Sequence, residues 1–66
     1  MLERFIQLRE QYPPGTEIEI VQDGYTQRTV VTEHRMSMDA CYLVTLDCGA
    51  IHAARVPELV RKVRNM

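Results

Sequence analysis

Residues Tyr42 to Leu59 constrain the fold more than any other stretch of this chain. They read as a strand, a tight turn, a second strand and a helical turn opened by Pro57. Tyr42, Val44 and Leu46 alternate with Cys41, Leu43 and Thr45 over a strand Cys41–Leu46, and alternation of this kind puts the two sets on opposite faces. Asp47-Cys48-Gly49 supplies a short hairpin loop whose glycine can take the left-handed position. Ala50 to Val56 reads as the next strand. Pro57 suits the first position of a helix, where its missing N–H is not needed.

A second hairpin signal lies upstream. Ile18 and Ile20 share one face of a strand over 16–22, and Glu17 and Glu19 share the other, as in a half-buried strand with a solvated side. Asp23-Gly24 then provides the positive φ angles of a two-residue hairpin. Tyr25 to about Arg35, rich in Thr and Val, reads as a long second strand. The adjacent Val30 and Val31 point to opposite faces, which predicts a bend or bulge there. Leu2, Phe5, Ile6 and Arg9 fall at helical spacing, with Leu8 on the flank, and predict an amphipathic helix over 2–12. Tyr12-Pro13-Pro14-Gly15 ends it, because proline disfavours helical geometry in the residue before it. Glu58 early and Arg61, Lys62 and Arg64 late complement the dipole of a C-terminal helix over 57–64.

The expectation is a mainly β (α+β) fold in a single domain, 1–66. An antiparallel meander of four to five strands over 14–57 lies between an N-terminal helix and a short C-terminal helical segment. Sixty-six residues bury only about 60% of the surface that the unfolded chain exposes. So small an interior weighs against a deep substrate cavity, and with it against an enzyme. The helix residues Leu2, Phe5 and Ile6 are therefore expected to cap the sheet, since a small core needs every apolar side chain.

The formal net charge of −1 argues against a general nucleic-acid binder, whose domain is strongly basic. The charge is uneven, at −3 over residues 1–33 and +2 over 34–66, with the basic excess near the end. Met1 to Ile6 is charged and has no apolar signal core, and no apolar run reaches the roughly 20 residues of a membrane span. A cytoplasmic protein without membrane contact is expected. Cys41 and Cys48 flank a strand and would lie roughly 23 Å apart at 3.3 Å per residue, beyond the ~7 Å limit for a disulfide. Two thiols are expected, consistent with a reducing compartment.

The meander and its closing turn resemble the SH3-like small barrels, and among them the Tudor-type and KOW-type modules. The resemblance rests on Pro14-Gly15-Thr16-Glu17-Ile18-Glu19-Ile20, Val30-Val31, Tyr42 to Gly49 and Val56-Pro57-Glu58-Leu59, and covers roughly residues 14–60. It implies a curled barrel that Val56 to Leu59 closes. An aromatic cage for methylated side chains needs several aromatic faces around a cation. With no Trp, one Phe and three Tyr, the chain is poorly supplied for one.

The chemistry-bearing residues read mostly as scaffold. His34, Cys41, Cys48 and His52 are metal-ligand types, but structural zinc sites bring paired ligands two to four residues apart, and no such pair exists here. A partial site of Cys48 with His52 across the second hairpin remains geometrically open. A Cys–His catalytic pair needs an activated thiol and a pocket, and no catalytic residue, metal or cofactor is expected. Glu17 and Glu19 fit the solvent side of a strand.

The expected function is a non-catalytic interaction module, a protein-binding adaptor or regulator that occupies a partner's surface. Arg35, Met36 and Met38 in the loop before the third strand, with Tyr25 and Tyr42, are the candidate partner-binding residues. Methionine is adaptable and common at binding surfaces; the other reading is that one or both methionines fold back to plug the barrel. The alternative function is nucleic-acid binding through a basic patch of Arg55, Arg61, Lys62 and Arg64.

Overall fold

A computed structural model describes residues 2–63. Helix α1 spans Leu2–Gln11, and strands β1 (Glu17–Gln22), β2 (Tyr25–Met36), β3 (Cys41–Thr45) and β4 (Ala50–His52) follow. A 3-10 turn, Ala53–Arg55, leads into the single helical turn α2 (Val56–Leu59) and strand β5 (Val60–Lys62). The sheet is antiparallel, with order β4-β3-β2-β1-β5. β4 and β5 are its two edges, so the sheet is open and does not close into a barrel.

The Asp23-Gly24 hairpin forms as expected. Asp23 has φ 50° and Gly24 φ 86°, the left-handed pair that a tight hairpin with the right twist requires. β2 is long enough to serve two partners. Its first half pairs with β1 and its second half with β3. Between Val31 and Glu33 the register shifts, so that Thr32 is the extra residue of a bulge. This is the predicted bend, one position beyond the Val30-Val31 pair. The Thr32 hydroxyl donates to the Val44 carbonyl at 3.2 Å, which gives the interrupted ladder a substitute bond.

Ile18, Val31 and Leu43 are the largest fully buried side chains, joined by Leu8, Tyr12, Ile20, Ile51, Val56 and Val60. Burial of each large aliphatic contributes about 1.5–3 kcal/mol. The face assignments for β1 and β3 hold, with Ile18, Ile20, Cys41, Leu43 and Thr45 inward. β3 stops at Thr45 rather than at Leu46, which lies exposed in the turn.

Three further expectations are corrected. The fourth strand ends at His52 rather than Val56, because the His52 imidazole accepts the Ala54 N–H at 3.0 Å and starts the 3-10 turn. The C-terminal helix over 57–64 is a single turn. From Val60 the chain is extended and pairs with β1, Ile20 opposite Val60 and Ile18 opposite Lys62. Pairing with the exposed edge of β1 gives Val60 a buried position that continued helix would have had to find elsewhere. Arg64 lies outside the described residues.

The third correction concerns α1. Phe5, Leu8 and Tyr12 face the core, and Leu2 and Ile6 are exposed. Helical spacing allows either stripe, and the backbone beyond the helix selects between them. The His34 ring donates from Nε2 to the Tyr12 carbonyl at 2.6 Å and meets Phe5 edge-on at 6.4 Å. Lys62 Nζ sits 5.4 Å from the centre of the Tyr12 ring. The contacts turn the 5–8–12 stripe inward. Gly15 N–H to Val31 O (2.8 Å) and Val31 N–H to Thr16 O (3.0 Å) fasten the following turn to mid-β2.

Candidate functional site

The concave face of the β1–β2 hairpin runs past the core and stays exposed at its end. Alternation along β1 places Gln22 on the face of Ile18 and Ile20. The register sets Gln27 opposite Ile20 and Tyr25 opposite Gln22. These side chains form one wall of a cleft of about 440 Å³ that the open sheet leaves unfilled. Its other walls are the turn residues Asp47 and Cys48, strand β4, and Arg55 and Leu59. Its size falls in the ordinary range for ligand clefts, about 300–1,000 Å³. No residue of α1 lines it.

The turn wall is fixed by two buried threonines. Thr45 Oγ1 donates to the Gly49 carbonyl and accepts the Cys48 N–H, each at 2.8 Å. Thr29 Oγ1 accepts the Asp47 N–H at 3.2 Å. Gly49, with φ 73°, takes the left-handed position foreseen for it. Each hydroxyl satisfies turn amides that would otherwise be left without partners, worth about 0.5–1.5 kcal/mol per bond.

His52 is held at the opposite end of β4. Its Nδ1 is occupied by the Ala54 N–H, so the neutral ring carries its proton on Nε2. Tyr42 meets this ring edge-on at 5.4 Å. Cys48 and His52 line the same cleft, but no hydrogen bond joins them among the described residues. No group of three or more metal-ligand side chains occurs among the described residues. Cys41 is buried and Cys48 half-buried, both as thiols.

Of the five candidate partner-binding residues, Tyr25 stands apart from the other four. Tyr25, 67% exposed, stands on the cleft wall, and Tyr42 supports His52. Arg35, Met36 and Met38 lie at the far end of β2, about 30 Å of extended chain from Tyr25 at 3.3 Å per residue, and Arg35 is the ladder partner of Tyr42. Arg35 is paired there with Glu33 at 3.0 Å, and Met38 is 99% exposed. Met36 is exposed as well, so neither methionine plugs the sheet. The basic patch is also dispersed. Arg55 lies at the cleft beside Glu58 (3.6 Å), Arg61 reaches Glu19 (3.4 Å), and Lys62 lies over Tyr12. Glu19 serves Arg28 too, at 3.6 Å. The cations therefore point in separate directions with carboxylates or a ring beside them.

Gln22 and Gln27 carry no site signal of their own in the sequence, and Cys48 enters it only as a partial metal site with His52. The available signal was the alternation Ile18, Ile20, Gln22, in which a polar side chain continues an apolar series. No helix among the described residues is long and apolar enough to cross a membrane. Comparison with protein-family models, curated proteins and solved structures finds no match.

Proposed function

We propose that this chain is a non-catalytic SH3-like interaction module that holds a segment of a partner protein in the cleft between the β1–β2 hairpin and β4. The observation that carries the reading is the exposed concave end of the hairpin, where Tyr25, Gln22 and Gln27 face the cleft instead of a core. Tyrosine supplies a large rigid contact with a polar tip, and the two amides offer donors and acceptors. The SH3-like reading is supported by the antiparallel order and by the Val56–Leu59 turn, which carries the chain from the β4 edge across to β5 beside β1. The binding rather than catalytic reading is supported by the occupied Nδ1 of His52 and by the openness of the cleft. The dispersal of Arg55, Arg61 and Lys62 favours a protein partner over nucleic acid, which asks for a continuous basic track.

Heptapeptides selected from a random library on the wild-type chain test this by fluorescence anisotropy. The expected result is binding that Tyr25→Ala weakens at least tenfold and that changes little with salt. Selected peptides that bind Tyr25→Ala as well as wild type would overturn the cleft. So would a chain that prefers an oligonucleotide, with affinity falling roughly 0.7–0.9 log unit per tenfold salt for each phosphate neutralised.

A further inference from the structure

We infer that the occupant of the cleft is an extended peptide that adds to β4 as a further strand of the sheet. The inference rests on the cleft reading above and names the chemistry of its ligand.

The argument starts from ladder alternation. Thr45 N–H donates to the Gly49 carbonyl at 2.9 Å, so these residues form a hydrogen-bonded pair. In an antiparallel ladder such pairs alternate with non-bonded ones. Leu43–Ile51 is then the next bonded pair, with Val44–Ala50 and Tyr42–His52 non-bonded. The backbone groups of Ala50 and His52 consequently turn away from β3. The His52 carbonyl is used by the 3-10 turn that it caps. The Ala50 N–H and C=O and the His52 N–H remain directed outward, on a strand that is the edge of its sheet. Ala50 and His52 are both exposed and both line the cleft. Extended backbone is the ligand that satisfies outward groups at two-residue spacing, and pockets for alternate side chains then give selectivity.

The edge admits a narrow strand and disfavours a second copy of this chain. β4 has only three residues. The hairpin residues Gln22, Tyr25 and Gln27 stand across the cleft from it, and Arg55 and Leu59 stand at its end. A second β4 would bring the same walls with it, and two recessed edges cannot approach to ladder distance. A single extended chain can. Asp47 precedes β4 and Arg55 follows it, so the edge carries an acid at one end and a base at the other. This favours a segment with a cation beside Asp47 and an acid beside Arg55.

The test is an N-methyl scan of a selected heptapeptide, with each backbone N–H blocked in turn. Affinity for the wild-type chain should fall at least tenfold at the one position whose N–H meets the Ala50 carbonyl and hold at its two neighbours, whose N–H groups point away from β4. Ala50→Pro, which removes an outward N–H at an edge position that tolerates proline, should weaken the unmodified peptide at least tenfold while the amide spectrum stays native. If Ala50→Pro fails to fold, the scan decides alone. A peptide that tolerates methylation at every position, yet still loses affinity with Tyr25→Ala, overturns strand addition and leaves the cleft reading standing. A peptide indifferent to Tyr25→Ala overturns both.

Discussion

Under α1, the concave face of the sheet is filled by Phe5, Leu8 and Tyr12, and the His34 ring ties the end of the helix to β2. Beside β4, the same face ends in Gln22, Tyr25 and Gln27 around a cleft. The two regions share strands and backbone geometry and differ in the side chains at inward positions. At the first, apolar residues arrive from another element at the right spacing. At the second, inward positions of the hairpin itself turn polar and nothing in the described chain covers them. A core this small has few apolar residues to spare, so an unfilled, polar-lined end reads as a surface kept for a partner.

Removing a filler from the closed region should have the largest effect. Leu8→Ala is expected to cost about 2–5 kcal/mol, the usual range for a buried leucine, measured by urea unfolding. Tyr25→Ala in the open region should change stability by no more than about 0.5 kcal/mol, as for surface positions. Equal losses at the two sites would abolish the contrast.

The turn wall of the cleft comes next. Thr45→Val deletes the hydroxyl that accepts the Cys48 N–H, and should cost about 1–3 kcal/mol by leaving that group unmet, while the Gly49 carbonyl keeps the Thr45 backbone N–H. Amide exchange at Cys48 should rise with it. Unchanged exchange at Cys48 would show that the threonine does not hold the wall.

A third expectation concerns pH. Burial raises the Tyr12 phenol above its ordinary value of 10.0. The unfolded chain therefore loses this proton first. The contribution is fully present below about pH 10 and is lost as pH rises through the higher folded value. Unfolding free energy should fall more steeply above about pH 10 in the wild type than in Tyr12→Phe, and parallel profiles would place the phenol in water. The smallest effect is at Ile6, 46% exposed. Ile6→Ala should stay within about 0.5 kcal/mol, and a loss comparable to that at Leu8 would restore the helix face that the sequence suggested.

The hairpins, the first four strands and the bend in β2 were legible because each has a local cause: Asp23-Gly24 and Gly49 at turn positions, alternation along β1 and β3, and two adjacent valines that cannot share a face. β5 was not. A three-residue strand with one buried side chain, Val60, shows no period, and Arg61 and Lys62 equally suit the end of a helix. The inward stripe of α1 was ambiguous for a related reason. Residues 2, 5 and 6 and residues 5, 8 and 12 both satisfy helical spacing, and the choice is made by His34, 22 positions from Tyr12. The cleft is a tertiary gap between hairpin and edge. Of its lining, Tyr25 is legible in the sequence as partner-binding, Arg55 as part of a basic patch, and Cys48 with His52 as a partial metal site, but nothing local joins the three into one cleft.

The most direct test of the account is an amide chemical-shift map of the wild-type chain titrated with a selected heptapeptide. The cleft reading predicts shifts concentrated in residues 20–27 and 47–55, with α1 and the Arg35–Met38 region unmoved. Shifts centred on Leu2 and Ile6, or on Arg35, Met36 and Met38, with the cleft silent, would contradict it.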